Sequence, residues 1–78
     1  MKGMENDTLD VLGRVCPYPL VLTKKKMEKM ASGSILKVKC DAPASAEDSI
    51  PKYCEKQGFA CEVDKVGDGA WDIYIKKA

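Results

Sequence analysis

The chain has 78 residues, 45% hydrophobic and 32% charged, which is enough for one domain with a small core and too little to enclose a large cofactor. Thirteen Lys and Arg against 12 Asp and Glu leave a formal net charge of +1, arguing against a nucleic-acid binder that works through a strong basic field. Histidine is absent, so catalysis by a cysteine with a histidine base is excluded.

The N-terminal stretch MKGMENDTLD is polar, and residues 1–7 are expected to form a flexible tail ahead of a single domain at 8–78. No later run approaches the roughly 18 apolar residues of a membrane span, and a cytoplasmic location is expected. In TLDVL, Leu9 and Val11 alternate as in a half-buried strand. From Pro17 to about Ser32, Leu20, Met27, Met30 and Ala31 recur at helical spacing, with Lys25, Lys26 and Lys29 elsewhere and Gly33 placed to stop the helix. ILKVKC predicts a second strand, with Leu36, Val38 and Cys40 facing inward and Lys37 and Lys39 outward.

A second helix is predicted from about Ser45 to Gln57, with a stripe of Ala46, Ile50, Tyr53 and Cys54. Ser45 with Asp48 resembles a capping box, and Gly58 ends the helix. Pro51 requires either a kink or a regular helix that starts late, near Ser49. In FACEVDKV, Phe59, Cys61 and Val63 share one face against Glu62 and Asp64. In AWDIYIKK, Trp71, Ile73 and Ile75 oppose Asp72, Tyr74 and Lys76, and GDG at 67–69 makes a tight hairpin between these two strands.

The order β-α-β-α-β-β predicts an α/β (α+β) two-layer sandwich. Its sheet is mixed and four-stranded, with both helices on one face and the other face largely wet. If the last strand lay at an edge, its alternating apolar residues could pair with another chain.

The four cysteines separate on this scheme. There is no C-x-x-C pair and no export signal, so neither a disulfide framework nor a metal site is expected, and the thiols should be reduced. Cys40, Cys54 and Cys61 fall on inward positions, where a free cysteine acts as a small hydrophobe with a raised pKa.

Cys16 precedes Pro17 where a turn becomes a helix, which suits a helix N-cap followed by proline at the first helical position. The positive end of a helix favours thiolate, and documented cysteines of this kind titrate at roughly 3.5 to 7.5. Pro19 removes another donor, leaving the Tyr18 N–H to face the sulfur or an anion bound to it, and Arg14 can add positive charge. A single activated thiol without histidine or a resolving partner suits sulfur relay. The thiolate attacks a sulfane sulfur, becomes a persulfide, and is attacked in turn by an acceptor.

LDVLGRVCPYPLVLTKKKMEKMASGSILKVKCDAP resembles the TusA-like sulfurtransferases, the group that includes the SirA, YedF and YeeD types. The resemblance rests on Leu9, Asp10, Gly13, the C-P-x-P of Cys16, Pro17 and Pro19, then Gly33, Leu36, Val38 and Asp41. It runs on through Ile50 and Pro51 to the final hairpin. It implies a sandwich like the C-terminal domain of translation initiation factor 3, with Cys16 carrying the persulfide.

Arg14, Pro17, Tyr18 and Pro19 at the helix start are therefore expected to contact the substrate, Asp10 and Gly13 of the family signature to support the site, and no cofactor is expected. CPYPL and GDGAWDIYIKKA are most similar to the YeeD branch, small proteins that accompany YeeE-type membrane proteins importing thiosulfate. That likeness implies a small anionic sulfur substrate, donor and acceptor proteins, and a YeeE-like transporter as membrane partner. Tyr18 fills a slot that is acidic in tRNA-thiolation members, which points away from that relay.

Two other readings compete. CPYP is one residue away from the C-P-Y-C of glutaredoxins, and a monothiol redox protein would need a glutathione site. The Lys24, Lys25, Lys26 run with Lys29 could dock an acidic partner or RNA, although such a run is ordinarily the solvated side of a helix.

Overall fold

Alternating apolar residues place four strands in one sheet, and the helical stripes cover one of its faces. The computed structural model describes residues 5–13, 18–43 and 45–78. Strand β1 is Asp7–Asp10, helix α1 Tyr18–Lys29, and strand β2 Ile35–Cys40. Helix α2 is Ile50–Gln57, strand β3 Ala60–Gly67 and strand β4 Ala70–Lys76. The spatial order is β1-β2-β4-β3. β1 and β2 are parallel, and β4 is antiparallel to both its neighbours. This is the expected mixed sheet with two helices. The last strand, however, is interior, because β2 takes one side of it and the Asp68-Gly69 turn brings β3 to the other. The edges are β1 and β3.

The chain is attached to the sheet ahead of residue 8. β1 starts at Asp7, the Asn6 N–H donates to the Ile35 carbonyl at 2.8 Å, and the Ile35 N–H donates to Asn6 Oδ1 at 2.8 Å. Among the described residues no helix is long and apolar enough to cross a membrane.

The core gathers Val11, Met27, Leu36, Val38, Cys40, Ala46, Ile50, Cys54, Trp71, Ile73 and Ile75. On α1 the expected Leu20, Met27 and Met30 face the core, joined by Pro19 and Thr23. Pro19, Thr23 and Met27, each four residues apart, are buried, whereas Ala31 is exposed beyond the helix end. Thr23 turns inward without an unmet polar group because its hydroxyl donates to the Pro19 carbonyl at 2.7 Å. At the other end of α1, Lys77 Nζ donates to the Met27 and Met30 carbonyls at 2.8 and 2.7 Å, placing a cation at the negative end of the helix.

Pro51 delays the second helix. A π-helical turn at Ser45–Ser49 leads into α2, with Pro51 in the first turn, where no interior hydrogen bond is lost. Ser49 makes no side-chain cap, and Asp48 instead pairs with Lys52 at 3.0 Å. The Ser45 half of the expected capping box lies outside the described side chains. Gly58, at φ 75°, then reverses the chain.

Two burial expectations are corrected. Val63 is 39% exposed. It lies on the edge strand β3, opposite the fully buried Ile73 of the interior strand β4, so the exposure follows the sheet edge. Closer to the hairpin turn, Lys65 of β3 lies beside Trp71, its ammonium 5.8 Å from the ring centroid.

Tyr74, expected on the wet face, is only 2% exposed. It lies in register between Lys37 and Glu62. Lys37 pairs with Asp72 at 3.6 Å and Glu5 at 4.0 Å, which draws charged side chains and the incoming N-terminal segment around it. Ile35, on the same face, is 6% exposed.

Candidate functional site

β1 and β2 run parallel, so their C-terminal ends lie side by side, the position where open α/β sheets place ligands. Two carboxylates shape the loop leaving β1. Asp10 Oδ1 accepts from the Leu12 N–H at 2.9 Å, and Asp41 Oδ2, just past β2, accepts from the Gly13 N–H at 3.0 Å. The second bond ties together segments 28 residues apart in sequence and fixes where the chain departs toward Cys16. Asp10 and Gly13 therefore meet in one loop. Asp41 completes it, a residue not singled out for the site from sequence, although an Asx-type acceptor one step past a strand was the available signal.

Gly13 has φ 75° and nothing within 4 Å of where a Cβ would be, so glycine is required by backbone angle and not by space. Gly13→Ala should destabilise the chain by about 1 kcal/mol through the left-handed conformation alone. Chemical denaturation checks this, and an unchanged midpoint would show that the loop relaxes freely.

Arg14, Cys16 and Pro17 lie outside the described residues. α1 begins two residues after Cys16 in the chain, and no acidic side chain occupies its first turn, so nothing there neutralises the positive end of the helix. Tyr18 is 57% exposed, which removes a packing role at the helix start. Pro19 is buried and anchors that turn through Thr23.

Two grooves lie elsewhere, between the helices. One of about 360 Å³ is lined by Lys24, Met27, Tyr53 and Phe59 among others, and one of about 290 Å³ by Leu20, Lys52 and Lys56 among others. Lys24 lies 5.5 Å from the Tyr53 ring centroid, and Lys26 pairs with Asp7, holding that carboxyl below its ordinary range. The lysine run is thus partly committed to contacts within the fold. The chemistry-bearing loop is the better candidate, because neither groove is lined by a thiol.

The other thiols divide. Cys40 is fully buried, its S–H donates to the Ala42 carbonyl at 3.6 Å, and burial pushes its pKa up. Cys54 is also fully buried, and its hydrogen bond with Cys61 together with burial pushes it up strongly. Cys61 departs from the inert reading. It is only partly buried, and the hydrogen bond from Cys54 holds it below the usual thiol range.

Residues 7–77 match the family described as sulfurtransferase TusA. An Archaeoglobus fulgidus protein named as a candidate sulfur carrier is 42% identical over 92% of this chain and 82% of its own length. A Thermotoga maritima protein with the same description is 47% identical, covering 88% and 87%. TsuB of Escherichia coli K12, also named as a candidate sulfur carrier, is 37% identical over 90% and 93%. The crystal structure of a SirA-like protein from Desulfitobacterium hafniense is similar in fold, with a TM-score of 0.79 and 30% identity over 90% of this chain and 95% of that one.

Proposed function

The chain belongs to the TusA sulfurtransferase family, and from that premise we propose that it is a sulfur carrier whose Cys16 thiolate takes up sulfane sulfur and passes it on. The observation that carries this reading is the family match across residues 7–77, which spans the C-P-Y-P at 16–19. The loop held by Asp10 and Asp41 supports it, since it is built to aim the chain at the start of α1.

With thiosulfate as donor, the Cys16 thiolate attacks the outer sulfur, the S–S bond breaks, and sulfite leaves with the electron pair. Cys16 becomes a persulfide. A nucleophile on the acceptor then takes the terminal sulfur and returns the thiolate. Tyr18 N–H and Arg14 are assigned to the anionic substrate, and Pro17 and Pro19 limit which backbone donors face it. The likeness to the YeeD branch supports reading thiosulfate rather than a tRNA-directed relay as the use of this carrier, with a YeeE-like transporter as partner and a cytoplasmic location.

The test exposes the protein to thiosulfate and, separately, to inorganic polysulfide, followed by tryptic mass mapping. Peptide 15–24, which contains Cys16 alone among the cysteines, should gain one sulfur with either donor. Gain with polysulfide only would confine the carrier to persulfide donors and remove the thiosulfate reading. No gain, or equal gain on peptide 40–52, would overturn the assignment of Cys16.

A further inference from the structure

The two grooves between the helices share Lys24, Tyr53 and Gln57 and so form one trough. Its lining runs from Leu20 to Glu28 on α1 and from Ser49 to Gln57 on the α2 side. Eight helical steps cover about 12 Å, the reach of about four extended peptide residues. Both helices begin at the same end of the trough, so Leu20 and Ser49 mark the end nearest the start of α1.

Half-buried Leu20, Tyr53 and Phe59 supply an apolar floor, with the Tyr53 and Phe59 rings edge to face at 6.0 Å. Exposed lysines flank it, Lys24 on α1 and Lys52 and Lys56 one turn apart on α2. Among the described residues Lys24 and Lys56 have no ion-pair partner, and Lys52 has only Asp48. Both members of that pair are more than 60% exposed, so it holds them weakly. Three lysines thus meet one carboxylate at the Leu20 end, while Glu28 stands at the other. The lysine run of α1 divides here, because Lys24 borders the trough, Lys26 is held by Asp7, and Lys25 and Lys29 line neither groove.

We propose that this trough docks an acidic peptide segment of a partner protein, which lays an apolar side chain on Tyr53 and Phe59 and carboxylates against Lys24, Lys52 and Lys56. Alternate residues of an extended peptide are about 7 Å apart, close to the rise of about 6 Å from Lys52 to Lys56. Carboxylates two residues apart therefore meet both. Glu28 repels acid at the far end, which turns the charged part of the segment toward the start of α1. RNA fits less well, because Lys24 already lies over the Tyr53 ring on which a base would stack, and a net charge of +1 gives no broad basic field. Docking here uses no thiol and stands independently of sulfur transfer at Cys16.

The test titrates the 15N-labelled full chain, at low salt, with a blocked heptapeptide of six glutamates around one phenylalanine, following amide shifts. Saturable shifts are expected around Leu20, Lys24, Tyr53, Lys56 and Phe59, with the same affinity in Cys16→Ser. Lys24→Gln/Lys56→Gln should weaken binding about tenfold, and Lys56→Gln alone, which breaks no ion pair of the fold, about threefold. Lys25→Gln/Lys29→Gln removes the same charge outside the trough and should leave the affinity within about twofold. The amide spectrum of each variant reports its fold in the same experiment. The proposal is overturned if no trough residue shifts, if the two double variants weaken binding equally, or if an all-glutamate heptapeptide binds as tightly. It is also overturned if a single-stranded oligouridine displaces the peptide from the same residues at lower concentration.

Discussion

Cys16→Ser is expected to remove sulfur loading altogether, with sulfite release from thiosulfate or sulfur uptake from polysulfide falling at least about a hundredfold, because a serine hydroxyl stays protonated and is a poor nucleophile toward sulfur. The remaining thiols offer little substitute. Cys40 and Cys54 have no solvent exposure, and both are shifted toward the protonated form. Cys61 is the one described thiol able to react in their place, so the comparison is cleanest with Cys16→Ser beside Cys16→Ser/Cys61→Ser. Residual loading confined to Cys61 would disappear in the double variant, while loading that survived both would break the link between C-P-Y-P and function. Folding should be unaffected, which far-UV circular dichroism checks.

Tyr74→Ala should cost about 3 to 5 kcal/mol, the ordinary range for truncating a buried aromatic. For a chain of this length the whole stability is on the order of 4 to 12 kcal/mol, so the variant should lose at least about a quarter of it. Tyr74→Phe keeps the ring and its contacts, and should lose less than about 1.5 kcal/mol. Denaturant titration of both variants decides the matter. A cost near zero for Tyr74→Ala would return the outer face of the sheet to the solvated surface that simple alternation implies.

The comparison of Tyr74 with Trp71 shows where residue pattern carries the fold and where it does not. Period-two alternation correctly put Trp71, Ile73 and Ile75 against the helices, since that face is covered by whole elements. It could not show that Tyr74 would be covered too, because its cover comes from the rows of charged side chains and from residues reached only across the sheet. Thr23 was hidden for a related reason. Its hydroxyl marks it as polar, and only the i−4 carbonyl contact makes it suitable for burial.

The late start of α2 was legible because Pro51 restricts its own backbone irrespective of context. The interior place of β4 was not, since strand order depends on which edge the hairpin joins. At the candidate site, Asp10 and Gly13 could be read from the family signature around C-P-Y-P. The part played by Asp41 arises only when segments distant in the chain meet.

The position of β4 has a consequence for how the domain comes into being. Among the described strands, β4 is the only one that joins β2 to β3, and it is the last of them to leave the ribosome. Until it arrives, β2 has only the four-residue β1 beside it, a parallel pair too small to stand alone. Closure of the sheet therefore depends on contacts across some 30 to 40 residues, which slows folding relative to a chain of local hairpins. The same delay means that the Asp41 to Gly13 tie, three residues before Cys16 in the chain, consolidates late in folding. A φ-value series on Ile73 and Ile75 would place this step relative to the transition state.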